Sequence, residues 1–221
     1  MTATMKAVAA VLLLTGTVTT AVISAQQRRP PGLFSPLDLG LLEPPDREAW
    51  QKPEEVMDAL YVGEGSVVAD LGAGGGWFTI RLARRVAPNG TVYAEDIQRL
   101  MIEAIARRVE REGLTNVKTV LGTGADPFPG LAPGTLDAVL IVDAFHEMTE
   151  PVVLLRNVAR ALKPQGRIGI IDYREGEGGP GPRAEERVPP KVIVATAKDA
   201  GLTLAGEAQF LPFQYFLIFR K

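Results

Sequence analysis

The chain has 221 residues, with 24 basic and 26 acidic side chains and a formal net charge of −2. A composition that is 46% hydrophobic can bury a core, which excludes a disordered protein, and no long run of Lys and Arg marks a nucleic-acid partner. The absence of cysteine excludes disulfides, thiolate metal sites and a cysteine nucleophile.

The N-terminus has the pattern of an export signal. Lys6 is the only charged residue in 1–25, residues 7–14 are wholly apolar, and 23–25 (ISA) ends on a small residue. This order predicts a cleaved signal peptide over 1–25 and a periplasmic or secreted protein. The alternatives are an uncleaved membrane anchor and a cytoplasmic protein with an unstructured tail. Thr and Gly within 15–20 make the stretch too polar and short for a good spanning helix, so stable membrane insertion is not expected.

Residues 26–45 are predicted to form a proline-rich linker in which no regular element survives. Its leucines and Phe34 indicate a strap that lies against the following domain, which spans 46–221. Asp46 and Pro53 mark the starts of two short helices.

From residue 66 onwards, apolar strands alternate with helices. Strands are predicted at 66–71, 91–96, 117–121, 136–142 and 167–172, helices at 77–87, 100–112, 151–162 and 190–200, and two final strands near 202–209 and 214–220. The alternation predicts a Rossmann-like doubly wound α/β fold with a largely parallel sheet. Because only 210–213 join the last two strands, these must pair antiparallel, so one strand near the C-terminus is reversed.

A glycine-rich turn, DLGAGGG (70–76), follows the first strand. Glycines allow a ligand to approach the backbone closely, and the next helix aims its N–H groups at the same crevice. The dinucleotide fingerprint would require glycine where Trp77 stands. The carboxylate of Asp70 would repel a pyrophosphate but suits an ammonium group, which favours S-adenosylmethionine over NAD. Asp96 ends the second strand and can accept hydrogen bonds from ribose hydroxyls. Because adjacent side chains of a strand are expected to point opposite ways, only one of Glu95 and Asp96 should face the ribose, and Asp96 is the one predicted.

Four segments in this order resemble the class I S-adenosylmethionine-dependent methyltransferases, in the group related to ubiquinone/menaquinone biosynthesis. They are VVADLGAGGG (67–76), VYAEDI (92–97), GTLDAV (134–139) and LRNVARALKPQGR (155–167). The resemblance covers about 55–221 and implies a seven-stranded sheet with a reversed last strand.

The resemblance also implies a donor site on the first two strands. Gly72 and Gly74 would border the methionine moiety and Asp70 would help to place it, while Asp96 would bind the ribose and Ile97 would pack on the adenine. The full set expected to bind S-adenosylmethionine is Asp70, Gly72, Gly74, Gly76, Asp96, Ile97, Asp126 and Asp143.

Two loops are expected to add side chains. The family usually has an acid after the third strand, facing the adenine amine, and Asp126 is the one acid available in 122–126. Residues 143–147 (DAFHE) follow the fourth strand, where the family places residues beside the methyl group. His146 is the only histidine, and its ordinary pKa of about 6.5 suits a general base. The alternative for His146 is a bond to a backbone carbonyl or a ligand-positioning role. Asp143 is expected to line the donor site, and a role as the general base is its second option.

The sequence therefore predicts an enzyme that moves a methyl group from S-adenosylmethionine to a small-molecule or lipid-like acceptor. A non-catalytic S-adenosylmethionine-binding module and an NAD-dependent oxidoreductase are the alternatives. No convincing set of carboxylate ligands is present, so no metal site is predicted. The Gly- and Pro-rich stretch 173–190 follows the fifth strand and is either a lid over the acceptor site or a plain surface loop.

Overall fold

The structure, a computed structural model, describes residues 32–176 and 179–221. The predicted signal peptide at 1–25 and the start of the linker lie outside the described residues. No helix within the described ranges has the length and apolar character needed to cross a membrane.

Seven strands form a single sheet in the order β3-β2-β1-β4-β5-β7-β6. Their bounds are β1 Val67–Leu71, β2 Thr91–Asp96, β3 Val117–Leu121, β4 Leu136–Val142, β5 Leu162–Tyr173, β6 Thr203–Ala208 and β7 Gln214–Arg220. The first five strands pair parallel, and β7 runs antiparallel to both β5 and β6. The predicted doubly wound fold with one reversed strand is confirmed.

Helices cover both faces of the sheet, which explains why the central strands are apolar almost throughout. Among the described residues the α-helices are α1 Arg47–Gln51, α2 Pro53–Ala59, α3 Trp77–Val86, α4 Arg99–Arg111, α5 Pro151–Ala161 and α6 Pro190–Asp199. On one face, Leu155 of α5 and Ile193 of α6 pack in a buried cluster with Val139 of β4. On the other face, Met57 of α2 and Leu82 of α3 belong to a second buried cluster.

Strand β5 begins earlier than predicted. Leu162 already pairs with Leu136, and the register then shifts before Ala138 pairs with Arg167. Residues 163–166 (KPQG), which lie between the predicted helix and the predicted strand, thus form an irregular strand entry. Pro164 has no N–H to donate to a ladder, which suits a bulge.

The strap also differs from its prediction, because a 3-10 helix spans Pro36–Leu42. Pro36 fits the first position of a helix, and the side chain of Ser35 accepts a hydrogen bond from the backbone N–H of Leu37. The prediction that no regular element survives in 26–45 is therefore wrong for this segment: proline breaks a helix from inside but can start one.

Candidate active site

The crevice at the carboxyl ends of β1, β2 and β4 is where the strand order reverses, because β1 lies between β2 and β4. In doubly wound sheets, ligands bind at such a switch point. The glycine turn after β1 lines it, with positive φ at Gly72 (71°), Gly74 (55°) and Gly76 (81°). A Cβ on Gly72 would come within 2.6 Å of the Cβ of Ala144, so only glycine lets the turn meet the loop after β4. Gly76 serves as the N-cap residue of α3.

The two acids at the end of β2 both bind the glycine turn. Asp96 accepts hydrogen bonds from the N–H of Gly74 through Oδ2 (3.1 Å) and from the N–H of Gln98 through Oδ1 (2.8 Å). Glu95 accepts through Oε2 from the N–H of Gly72 (3.3 Å). A carboxylate offers about four acceptor positions, so Asp96 retains capacity for a further donor beside its backbone partners. Burial raises the pKa of Asp96 to about 6.

Glu95 is the more deeply buried of the pair. Its Oε1 is fully buried and has no hydrogen-bond partner among the described residues. Burial, followed by the neighbouring charge of Asp96, raises the pKa of Glu95 well above its ordinary range, which favours the protonated form. Because the protonated form carries no charge, Glu95 is a weaker candidate than Asp96 for accepting hydrogen bonds from the ribose hydroxyls.

Asp70, at the base of the turn, is only 3% exposed and accepts a hydrogen bond from the hydroxyl of Thr79 (2.6 Å). Burial raises the pKa of Asp70 to about 6, although the Thr79 bond and the charge of Arg47 oppose the shift. A positively charged ligand group near Asp70 would favour its ionised form.

Sequence reasoning missed Arg47, which α1 brings to the same crevice. Its guanidinium donates to the carbonyl of Leu42 (2.5 Å) and to Oε1 of Gln51 (3.1 Å), and its Nη2 lies 3.8 Å from Oδ2 of Asp143. The group also lies over the ring of Trp77, 4.4 Å from the centroid. Burial lowers the pKa of Arg47, against the attraction of Asp143. Arg47 and Gln51 share one helix face at i and i+4, and this buried polar face was the available signal.

Asp143, directly after β4, is held in a left-handed conformation with φ 55°. It accepts hydrogen bonds from the Tyr173 hydroxyl (3.3 Å) and from the side-chain amide of Gln214. The amide of Gln51 donates in turn to Oε1 of Gln214 (2.6 Å). Burial raises the pKa of Asp143 to about 7, while Arg47 opposes the shift. Asp143 thus belongs to a buried polar network between α1, β4, β5 and β7.

His146 lies in a 3-10 turn, Phe145–Glu147, and its ring bonds a carboxylate that the sequence analysis did not single out. Nδ1 of His146 lies 3.2 Å from both carboxylate oxygens of Asp172, so the partner is not the backbone carbonyl that the alternative invoked. Burial opposes the charged ring, but the hydrogen bond and charge of Asp172, together with the charges of Glu147 and Asp143, raise the pKa of His146. Asp172 comes near the end of an apolar strand, the same signal that identified Asp70 and Asp96.

The remaining predicted residues lie on the β2 and β3 sides. Ile97 is 39% exposed, which leaves its side chain available for contact with a ligand. Asp126 closes its own turn, accepting through Oδ1 from the N–H of Phe128 (3.2 Å) and donating its N–H to the Thr123 hydroxyl (2.9 Å). Within the described part of the chain, no group of three or more His, Asp and Glu could hold a metal ion.

The strap crosses the rim of the crevice. The N–H of Phe34 donates to both carboxylate oxygens of Glu147 (3.1 Å each), and its carbonyl accepts from the side-chain amide of Gln98 (3.0 Å). Farther along, a Cβ on Gly75 would lie 3.2 Å from the side chain of Leu39, and Glu43 forms an ion pair with Arg108. The strap therefore links the loops after β2 and β4 and packs on the glycine turn.

The loop after β5 is organised around one side chain. Arg187 donates to the carbonyls of Pro182 (3.1 Å), Arg174 (3.1 Å), Gly176 (3.2 Å) and Pro180 (3.3 Å). Its guanidinium also lies over the Tyr173 ring, 5.6 Å from the centroid. These bonds hold the described parts of the loop beside the Asp143 network, and the choice between a lid and a plain surface loop stays a prediction.

A doubly wound sheet with a glycine turn and two strand-end carboxylates at its switch point defines a nucleoside-binding α/β protein of the methyltransferase type. The methyltransferase domain family matches residues 68–166. Nocamycin O-methyltransferase of Saccharothrix syringae is 36% identical over 116 residues, covering 52% of this chain and 40% of that protein. Demethylmenaquinone methyltransferase of Geobacillus sp. (strain WCH70) is 30% identical over 120 residues, covering 54% of this chain and 50% of that protein.

Among solved structures, a SAM dependent methyltransferase from Aquifex aeolicus aligns with a TM-score of 0.80 and 28% identity, covering 85% of this chain and 98% of that chain. The aligned region spans about half or less of the curated relatives. Residues 68–166 therefore match a methyltransferase domain, the chain is similar in sequence to enzymes of ubiquinone and menaquinone biosynthesis, and its fold is that of a SAM dependent methyltransferase; these findings support the class I S-adenosylmethionine-dependent methyltransferases as its family.

Proposed function

We propose that the protein transfers a methyl group from S-adenosylmethionine to a small-molecule or lipid-like acceptor. The observation that carries the proposal is the pair of buried carboxylates, Asp70 and Asp96, on either side of the glycine turn. One carboxylate suits an ammonium group and the other suits two hydroxyls, a combination that an amino-acid nucleoside presents.

The residues present fit this donor. Gly72 and Gly74 let the turn approach the methionine moiety, with Gly76 capping the helix behind it, and Asp96 keeps acceptor capacity for the ribose. Ile97 would pack on the adenine, with Asp126 as the acid on the adenine side. Asp143 would line the methionine end of the site.

Arg47 supports the same assignment. A buried guanidinium whose Nη2 is 3.8 Å from its nearest carboxylate can take a second carboxylate as partner. We assign Arg47 to the carboxylate of the methionine moiety. Asp70 and Arg47 would then hold the two charged ends of the amino acid.

S-adenosylmethionine supplies a methyl group on a sulfonium, whose departure leaves a neutral thioether and requires no acid. The protein therefore has to align the acceptor and, for a poor nucleophile, remove its proton. His146 is the candidate base and Asp143, whose pKa is raised to about 7, is the second one. The named activities of the two curated relatives point to an oxygen- or quinone-bearing acceptor.

Calorimetry with S-adenosylmethionine, S-adenosylhomocysteine and NAD tests the donor assignment, and methyl-labelled donor tests turnover. We expect both sulfur nucleosides to bind and label to reach an acceptor. Binding without transfer to any acceptor would favour a non-catalytic binding module, and NAD binding that survives Asp70→Ala would favour an oxidoreductase.

For the N-terminus we propose cleavage after Ala25 and export of the protein. This proposal rests only on the sequence pattern of Lys6, the apolar residues 7–14 and a small residue before the cleavage point. Mass spectrometry of the natively expressed protein would report the mature N-terminus together with any co-purified nucleoside. An intact Met1 in fractionated cells would remove this proposal and leave the donor assignment untouched.

A further inference from the structure

Asp172 is a fully buried carboxylate, with 0% exposure, one residue before the end of β5. Its Oδ1 accepts from the N–H of Tyr173 (2.8 Å) and its Oδ2 from the N–H of His146 (3.2 Å). Two backbone donors therefore fix the plane of the carboxylate independently of the imidazole. The ring of His146 then bonds the same carboxylate through Nδ1.

This arrangement determines which ring nitrogen is free. A carboxylate only accepts hydrogen bonds, so Nδ1 carries the hydrogen and Nε2 of the neutral ring keeps its lone pair. The backbone and the side chain of His146 are both tied to Asp172, and Phe145 beside it is buried, which together hold the ring in one orientation. Carboxylate-held imidazoles of this kind act as bases through the other nitrogen.

The surroundings favour a ring that takes up a proton. Asp172 faces it from β5 and Asp143 from the loop after β4, while Glu147 on its own turn places Oε1 3.9 Å from Nε2. That separation is too long for a hydrogen bond. The strap approaches through Phe34, whose N–H bonds Glu147. Nε2 therefore lies beside Glu147, which the strap contacts, and among carboxylates that would stabilise an imidazolium.

We propose that Asp172 is a positioning residue that makes His146 a base acting through Nε2, and that the acceptor atom is carried by a neutral hydroxyl, as in a phenol, an enol or a hydroquinone. The inference rests on the proposed methyl transfer. An amine free base or a carboxylate is nucleophilic without a base, whereas a neutral hydroxyl is not.

The step balances. The O–H bond breaks and its proton goes to Nε2, while the electron pair left on the acceptor bonds the methyl carbon as the carbon–sulfur bond breaks onto sulfur. The acceptor ends methylated and neutral, the donor ends as a thioether, and the imidazolium beside Asp172 carries the proton until solvent removes it.

The single histidine allows a direct test, because its ring signals need no assignment in a protein without an added histidine tag. Two-bond ¹H–¹⁵N correlations across a pH titration report the tautomer and the pKa of His146. We expect the Nδ1–H tautomer in the unaltered protein. Asp172→Asn should lower the pKa of His146 and populate the Nε2–H form, while the matched control Glu147→Gln should leave the tautomer unchanged.

An Nε2–H tautomer in the unaltered protein would overturn the proposal without any variant, so failure of Asp172→Asn to fold does not remove the test. A tautomer and pKa unchanged in a folded Asp172→Asn protein would also overturn it.

A turnover assay with methyl-labelled donor tests the acceptor class. It uses two probe acceptors, 1,4-naphthohydroquinone and a primary arylamine of the same ring. We expect label in the hydroquinone, about 10–100-fold less of it with Asp172→Asn, and a pH profile displaced with the pKa of His146. Label in the amine alone, independent of Asp172, would overturn the acceptor class. Calorimetry with S-adenosylhomocysteine on the same proteins tests the proposed function separately, because loss of donor binding would leave the tautomer result standing.

Discussion

Replacing Asp96 by Asn tests the donor site most directly. The variant removes the charge and turns one carboxylate oxygen into an amide that opposes the N–H of either Gly74 or Gln98. Hydrogen bonds to a charged group contribute roughly 1.5–3 kcal/mol each. Losing one such bond to the ribose would weaken binding of S-adenosylhomocysteine by about 10–150-fold.

The neighbouring variant Glu95→Gln is the matched control. Because the raised pKa of Glu95 favours its protonated form, an amide resembles the group already present, and we expect less than about a threefold change in affinity. Calorimetry measures both affinities, and circular dichroism confirms that each protein is folded. If Glu95→Gln weakened binding and Asp96→Asn left it unchanged, Glu95 and not Asp96 would be the acid that binds the ribose.

The pH dependence gives a second measurement on the same proteins. The pKa of Asp96 is raised to about 6, so donor binding, which requires the ionised carboxylate, should weaken by up to about tenfold per unit as the pH falls below 6. Asp96→Asn should flatten this dependence, leaving the part due to Asp70. An equally steep decline in the variant would refute the assignment.

Three further outcomes are expected. Arg47→Gln should weaken S-adenosylhomocysteine by about tenfold but leave its decarboxylated analogue unchanged in calorimetry, because the lost charge-assisted bond is to the carboxylate; equal weakening of both ligands would contradict it. The pKa of Asp70 rises from 3.8 in the unfolded chain to about 6 on folding, so the folded protein loses stability as the pH rises and Asp70 ionises. Asp70→Asn removes that ionisation and should raise the free energy of unfolding at pH 8 by up to about 3 kcal/mol. That gain, measured by urea unfolding, should shrink towards pH 4. Gly122→Ala should destabilise the protein by about 1–3 kcal/mol, because its Cβ would lie 2.0 Å from Oε1 of Glu95, and adding Glu95→Ala should restore part of the loss.

The sequence was sufficient for the sheet because its strands are short, apolar and buried on both faces, and because the four-residue link 210–213 permits only antiparallel pairing. The acids at strand ends could be found for a related reason. A charged residue closing an apolar run has to emerge at the sheet edge where parallel strands terminate together. Asp172 obeys that rule one residue inside the end of β5 and could have been found by applying it there.

Arg47 and the strap could not be found in this way. Arg47 lies in a helix of five residues whose one sequence signal is the i, i+4 pair with Gln51, and its other partners come from the loop after β4 and from the strap. The strap helix depends on the leucine side chains packing on Gly74 and Gly75, a surface that exists only after the turn has formed. Both features are consequences of tertiary contact, to which local propensity contributes little.

The buried acids explain why this crevice suits a cationic donor. Asp70, Asp96 and Asp143 all have a raised pKa because burial removes their hydration, and Arg47 is the one guanidinium within reach of Asp70 and Asp143 in the described chain. Without a ligand, the crevice therefore disfavours its own ionised carboxylates. An ammonium group and a sulfonium offset that desolvation, whereas a pyrophosphate would increase it. In the proposed transfer the sulfonium charge is lost, so the same field would hold the product less strongly than the donor.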